Sequence, residues 1–484
     1  MPSNAETMVP QIRSEFERLV TYVTGAERQA QTTYTVELTL FRRLLALGLA
    51  LLRLFFVTRA ATCPDVPTRP DGTAMTYHEQ RRVTYVSVFG RLRFARHYVV
   101  ARGQPGACPL DAVLSLPACI FADLVRDWTA HGCTDGAYRE SQTVLERILG
   151  LTLRVQTLEQ HVARDAVDVD AFYAHPPAPD QPVAAGSILV VQADSKGTPL
   201  IQPSSAPPAR RQAGQLCTRN KEAVVTCLLY TMAPSVRSPQ EVVAALLNAE
   251  RPRPRPRPMA KEQHATLDGK NVAFTRLVQR AAHREGYPIQ HRVALTDGAA
   301  ALQPQMQTHF PHHTLILDSI YASAYLWESA DALLGDQPTQ QCAWMRTRLE
   351  LLLTGQTERV ITALETAAPA PERTSAQQQA LVRTSAYDRR NQPYMRYQDY
   401  LAQGWPKGTG VVEGACGHLV KDRMEQAGMR WTKAGAQPIL DLRAVRLNGD
   451  WDAYGQFHRQ QQHQRLYGTG TATVVEDHLL ALAA

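Results

Sequence analysis

Residues 187–201 read SILVVQADSKGTPLI. Ile188, Leu189, Val190 and Val191 form a short, apolar, largely β-branched run, the pattern of a buried strand. The run leads into a carboxylate, Asp194, and then into the turn residues Ser195, Gly197 and Pro199. An acid in that place has two readings. It can be a turn or cap residue, since Asp is common where strands end, or it can be a metal ligand. Its partners elsewhere in the chain decide between them.

Two more stretches have the same grammar. HRVALTDG (291–298) ends an apolar strand in Asp297, and HHTLILDS (312–319) ends another in Asp318. Strand ends are where open sheets build their sites. A fourth acid, Glu413, lies in GTGVVEGACGHLVKDRMEQAGMRW (408–431). A helix beginning at Thr409 and Gly410 turns Val412, Ala415 and Leu419 to a core, with Cys416 beside them. Glu413 then projects from another side of its first turn. A negative charge there is favoured by roughly 0.3–1 kcal/mol, and the side chain can also point across at the sheet. If Asp194, Asp297 and Glu413 converge, two like charges ~4 Å apart cost ~4 kcal/mol at an effective dielectric of ~20. Such a cluster makes sense when divalent cations neutralise it. Oxygen-only ligands select Mg²⁺ or Mn²⁺ over zinc, and a pair of such ions can clamp the attacking and leaving oxygens of a phosphodiester displacement.

The totals agree with a large protein that meets an anion. The chain has 484 residues, 44% hydrophobic, and a formal net charge of +7. That length suits two to four domains, and the sign of the charge suits nucleic acid. Cysteines at 63, 108, 119, 133, 217, 227, 342 and 416 form no CxxC pair. They read as reduced thiols in a cytosolic protein rather than a disulfide or zinc framework. The N-terminus is mixed and charged, unlike a secretory signal. The most apolar run, LLALGLALL (44–52), lies between Arg42–Arg43 and Arg53. It is short of the roughly 20 residues of a membrane span and reads as a buried helix. No membrane partner is expected.

Along the chain, residues 1–70 read as helices, with Phe16, Leu19, Val20 and Val23 at helical spacing. Residues 82–100 alternate on both sides of Phe89-Gly90, a hairpin pattern. Residues 136–166 hold one amphipathic helix ending near Gly150 and a second from about Val155. This is either a helical hairpin or a helix-turn-helix that offers Gln156, Thr157, Gln160 and His161 to a DNA groove. HPPAPDQPVAAG (175–186) is a linker and a domain boundary. KEAVVTCLLYTM (221–232) is a strand, and SPQEVVAALLNAE is a helix capped by Ser238 with Glu241 three residues on. RPRPRPRP (251–258) must be extended, as a stiff solvated loop or a basic arm on phosphate. Residues 331–395 read as entirely helical.

Taken together, VVQADSKGTPL, NKEAVVTCLLYTMAPSVRSPQEVVAALL, ATLDGK, HRVALTDGAAALQ, LILDSIYASAYLW and GVVEGACGHLVKDRMEQAGMRW resemble the ISKra family of bacterial insertion-sequence transposases. The resemblance runs in the same order from about residue 80 to 455. It implies a DDE transposase with an RNase H-like core of mixed sheet and flanking helices. An α-helical insertion would interrupt that core, and a mainly helical DNA-binding region with a β-hairpin would precede it. Asp194, Asp297 and Glu413 would be the catalytic acids and the ligands of two Mg²⁺ or Mn²⁺ ions. The implied divisions are 1–70, 71–175 for DNA binding, 183–330 for the first part of the core, 331–400 for the insertion, 401–455 for the last part, and a tail at 456–484. Partners would be double-stranded DNA, as terminal inverted repeats and target, and further copies of the chain on that DNA. The setting would be the bacterial cytoplasm. Asp318, Tyr321, Lys421 and Arg423 would be accessory or DNA-contacting residues. Two positions depart from the family pattern: Tyr321 stands where a His is expected and Gly417 where an Arg is. Tyrosine donates a hydrogen bond but is no cation near neutral pH. The alternatives are a catalytically inactive, transposase-derived DNA-binding protein, and a nuclease or resolvase of the same fold. Trp327, Trp405 and Trp431 read as core packing or base-stacking platforms, and His418 as a structural residue or a DNA contact.

Overall fold

The computed structural model describes residues 5–25, 30–62, 74–101, 103–175, 184, 187–201, 221–247, 254–426 and 429–468. They fall into two units. The residues up to Phe172 join those from Trp451 onward, and Tyr173–Asp450 form the other.

In the first unit, helices α1 (Ala5–Thr24) and α2 (Thr33–Thr62) pack on each other. Strands β1 (Thr76–Ser87), β2 (Gly90–Ala101) and β3 (Gln104–Ala107) form an antiparallel sheet in that order. Ser87 faces Gly90 in the register, so the hairpin turns at Val88-Phe89, one residue before the expected place. Helix α2 lies on β2, where Phe56 stacks on Phe94 with ring centroids 4.2 Å apart. The expectation of a buried helix at 44–52 is corrected here. Phe56 is the one fully buried residue of α2, while Phe41, Leu44, Leu51 and Phe55 are exposed. Its apolar residues surround the whole helix, and the sheet covers one side only. Among the described residues α2 is the one helix long and apolar enough, by length and composition, to cross a membrane.

After the short helix α3 (Pro109–Val113), helices α4 (Asp123–Asp135), α5 (Tyr138–Leu149) and α6 (Val155–Asp165) pack against one another. Gly150 ends α5 in the left-handed region, at φ 67°. A one-turn helix, α7 (Val169–Tyr173), follows. The last helix among the described residues, α19 (Trp451–Tyr467), belongs to this unit, so the expected tail from 456 begins inside a helix. Its few apolar residues hide it from a periodicity reading. Polar contacts hold it: His458 Nδ1 meets Asp168 Oδ2 at 2.6 Å, Arg465 grips Asp168 at 2.6 and 2.9 Å, and Gln462 accepts from Arg126 at 2.6 Å. Arg126 also pairs with Asp165.

The second unit is α/β. Strands β4 (Ser187–Pro199), β5 (Lys221–Met232), β6 (Met259–Thr266), β7 (Ile289–Thr296) and β8 (Thr314–Leu317) make one mixed sheet in the order β6-β5-β4-β7-β8. The β4–β5 and β5–β6 pairs are antiparallel, and β7 and β8 run parallel to β4. Helices α8 (Pro239–Leu246), α9 (Lys270–Ala282) and α10 (Gln303–His309) lie between these strands in sequence. Val191, Ala193 and Cys227 pack on α9 and α10 through Phe274, Leu277 and Met306. Ile188, Val190 and Leu228 face a second core. It includes side chains of α11 (Ser319–Leu334), α12 (Pro338–Leu353), α13 (Thr357–Ala367), α14 (Ser375–Asn391) and α15 (Tyr397–Ala402). Both faces of β4 are therefore covered, as its unbroken apolar run requires. The chain then enters α16 (Gly410–Ala415), a π-helical turn (Cys416–Lys421), α17 (Asp422–Met424) and α18 (Lys433–Asn448). Of the linker at 175–186, residues 176–183, 185 and 186 lie outside the described residues, as do 251–253 of the Arg-Pro run.

Candidate active site

The register of the sheet brings three acids into one row. Gln192 on β4 faces Leu295 on β7, and Thr296 on β7 faces Leu317 on β8. Continued in the same register, Asp194 falls beside Asp297, and Asp297 beside Asp318. Neighbouring strands lie about 4.8 Å apart, so each strand delivers its acid at the same height. Asp194 still lies within β4, opposite Thr226 of β5, while Asp297 and Asp318 follow directly after their strands.

Each acid is held differently. Asp194 is half-buried; its Oδ1 accepts from the Ser195 N–H at 2.6 Å, and the Cys416 thiol touches its carboxylate. Asp297 is also half-buried, and its Oδ1 accepts from the Ala299 N–H at 2.8 Å. Its backbone oxygen accepts from the Tyr387 hydroxyl at 2.6 Å. Gly298 follows at φ 79°, where an added Cβ would stand 2.9 Å from that hydroxyl, so the turn requires glycine. Burial raises the pKa of Asp297, and the neighbouring Asp194 and Asp318 carboxylates raise it further against the Ala299 hydrogen bond.

Asp318 is fully buried and caps α11 by accepting from the Ile320 N–H at 2.6 Å. Its other oxygen accepts from the Thr409 N–H at 2.6 Å and the Thr409 hydroxyl at 2.5 Å. The same hydroxyl lies 3.2 Å from Glu413 Oε1. One hydroxyl proton cannot serve two carboxylates fully, so the shorter contact takes it. Asp318 is thus a positioning residue that ties the strand end to the start of α16, and it is closed to DNA. A second tie is Gln192, completely buried, which accepts from the Val412 N–H at 2.9 Å and donates to the Tyr230 hydroxyl at 3.1 Å. Sequence reading missed Gln192. Its one signal was a lone polar residue on the strand face that also carries Asp194. Glu413 itself is exposed in the first turn of α16.

Tyr321 senses the whole cluster. Burial first, and then the carboxylates of Glu413, Asp194, Asp297 and Asp318, push its hydroxyl up to about 12. It stays protonated at neutral pH, a donor among four acids. All-oxygen donors of this kind suit a hard divalent cation such as Mg²⁺. As the side chains stand, however, no three His, Cys, Asp or Glu among the described residues close around a common point where one ion could sit.

The remaining expected residues separate. Lys421 is exposed. Arg423 is corrected: it is fully buried, with its guanidinium over the Trp431 ring at 4.7 Å and bonded to Met429 Sδ at 3.2 Å. A planar guanidinium stacks well on indole, which turns it inward, away from phosphate. Trp431 is core, donating to the Met424 carbonyl at 3.2 Å, and Trp327 packs against the core. Trp405 stacks on Tyr400. His418 is exposed and lies 3.1 Å from Asp422. A side chain at Gly417 would meet open space. On α6, Gln156 and Gln160 are exposed and Thr157 is half-buried. His161 is corrected: it is buried edge-on to Phe121, and burial lowers its pKa to about 4.

No protein-family profile and no curated protein matches the sequence. A solved structure described as the Drosophila P element transposase strand transfer complex aligns with 72% of this chain and 82% of that one. The identity is 9% and the TM-score 0.21, a superposition too loose to carry fold or function from one to the other.

Proposed function

We propose that the protein is a divalent-metal-dependent DNA transposase of the DDE type, an insertion-sequence enzyme with an RNase H-like core. One observation carries the reading. Asp194 within β4 and the acids that follow β7 and β8 share one row, and a helix bonded to both Asp318 and Gln192 brings Glu413 to the same cluster. Mutually repelling carboxylates are a poor structural device and a good cation site. Asp194, Asp297 and Glu413 would hold the ions. A bound divalent cation there would neutralise the cluster and polarise phosphodiester oxygens.

The chain's own residues do the rest. Thr409 and Gln192 hold α16 against the sheet. Tyr321 keeps its proton and donates a hydrogen bond to a phosphate oxygen. Exposed Lys421 contacts the backbone of the DNA. Gln156, Thr157 and Gln160 on α6 read the element's terminal repeats in a helix-turn-helix manner. Helices α12–α15 form the insertion within the core. The reading carries with it self-association on paired DNA ends and a place in the bacterial cytoplasm. A second reading, a DNA-binding derivative that no longer cuts, is favoured by the lack of a three-acid cluster around one point among the described residues.

The test uses the full chain, labelled DNA bearing the sequence that flanks its own gene, and Mg²⁺ or Mn²⁺. Asp194→Asn, Asp297→Asn and Glu413→Gln should each lower strand cleavage at least ~100-fold, as expected when several kcal/mol of charge stabilisation is lost. DNA binding by fluorescence anisotropy should remain. Binding by the wild type with no metal-dependent cut under any condition selects the second reading.

A further inference from the structure

Behind the Asp318–Thr409 link lies a cavity of about 300 Å³. Its wall includes Ser319, Ile320, Gly408 and Val411, next to the residues that hold Asp318 and Glu413 in place. Its apolar lining includes Tyr230, Val242, Leu246, Ile320 and Trp405. Three cations face it: Arg237, Arg255 and Lys407. Arg255 comes from the Arg-Pro run, and Pro256 and Pro258 line the same cavity. In the described part, 254–258, proline keeps the chain out of a helix and Arg255 reaches the cavity.

Lys407 makes the cavity unusual. It is half-buried, and its ammonium has no ion pair among the described residues. Burial, with the Arg255 and Arg237 guanidiniums adding to it and Asp318 opposing, lowers its pKa to about 8. An ammonium without an ion pair beside an apolar hole costs stability unless an anion arrives. Trp405 Nε1, in the same wall, is a buried donor without a hydrogen-bond partner among the described residues. The volume lies at the low end of ligand pockets. It is far too small for a duplex and suits one planar ring with an attached anion.

We propose that this cavity receives a single unpaired nucleotide of the DNA strand, its base on the apolar lining and its phosphate on Lys407, Arg255 and Arg237. The proposal rests on the reading of the neighbouring acids as a DNA-cutting site, and it adds the strand state that site acts on. Unstacking a base costs a few kcal/mol in a duplex and least where the base is already unpaired. The cavity therefore makes the protein prefer forked or frayed ends over continuous duplex.

The experiment measures binding of the full chain in EDTA, so that no cutting occurs. The probes are a continuous duplex, the same duplex with one unpaired 2-aminopurine nucleotide at a fork, and free dAMP. The wild type should prefer the fork and change its 2-aminopurine emission. Lys407→Met removes the charge and keeps most of the stem; Ala245→Phe fills the cavity from its half-buried wall. Each should cut fork affinity about tenfold, the size of one lost charge-assisted contact, and leave duplex affinity unchanged. Fork preference that is absent in the wild type, or unchanged in both variants with thermal melts intact, overturns the proposal. So does free dAMP binding as tightly as the fork, which would mark a site for a small nucleotide instead. Cleavage is read separately with metal and Asp194→Asn. Failure to cut while the fork still binds removes the reading of the acids and leaves the cavity standing.

Discussion

At the scale of single residues the acid cluster depends on groups that lie behind it. Thr409 is the clearest. It joins Asp318, which is buried with no water to replace a lost donor, to Glu413, which is exposed. Thr409→Val keeps the shape and deletes the hydroxyl, at a cost of about 1.5–3 kcal/mol for a hydrogen bond to a charged group. The expected result is a lower melting temperature and slower metal-dependent cleavage with unchanged DNA affinity. Thr409→Ser should restore both, which a purely steric role would not predict. The positions of Asp297 and Asp318 were legible in the sequence, because each follows its strand directly, whereas at Asp194 the expected turn is corrected: β4 continues through Ser195 and Gly197 to Pro199, paired with β5. Their supports were not. Gln192 and Thr409 act through partners 220 and 91 positions away, and no local pattern records such a distance. Arg423 and His161 were misread for the converse reason. A polar side chain gives no sign in sequence that Trp431 or Phe121 awaits it in the interior.

At the scale of elements, apolar periodicity found β4, β5, β7, β8 and the helix at 410, and it overlooked β6 and α19. Strand β6 reads MAKEQHAT, yet Glu262, Gln263 and His264 are buried. Arg280 and Arg284 neutralise Glu262 at 3.1 Å each, and the Asn448 side chain bonds the Gln263 backbone on both sides, so the strand is paired by polar groups from far along the chain. Helix α19 is held in the same fashion by His458 and Arg465, and this makes its docking depend on pH. Burial opposes the charge on His458, but Asp165 and Asp168 outweigh it and raise the pKa above 6.5. Burial likewise disfavours the Asp168 carboxylate, but His458 and Arg465 bring its pKa down from 3.8 to about 2. The histidine term is whole below pH 6.5 and is lost as pH rises through the raised value. The aspartate term is whole above pH 3.8 and is lost toward pH 2. The first unit should therefore be firmest between these limits. Thermal melts followed at α19, for instance through Trp451 fluorescence, should fall by several degrees from pH 6 to pH 9. His458→Gln should flatten that slope, and a slope that survives the substitution would place its origin elsewhere.

At the scale of the whole molecule, the chain leaves its first unit at Phe172 and returns to it at Trp451, with the α/β unit spelled out in between. The two ends of that inner unit are tied together, because the Tyr173 hydroxyl donates to Asp450 at 2.8 Å and accepts from Asn448 at 2.8 Å. A chain stopped after Asp450 should keep the sheet and its helices and lose order in the first unit, where Arg126, Asp165 and Asp168 would face one another without His458 and Arg465. Limited proteolysis of that truncated chain should release a stable fragment beginning near residue 173. Equal protection of both parts would show that α19 is dispensable. The same layout has a temporal meaning. On a ribosome adding about 5–20 residues per second, the inner unit is finished and can fold while the outer one still waits for α19. Translation that ends early, by frameshift or nonsense codon, then yields a polypeptide whose outer unit never closes and is open to proteases. The return of the chain at Trp451 thus sets a condition on synthesis: the first unit closes only in molecules translated past α19.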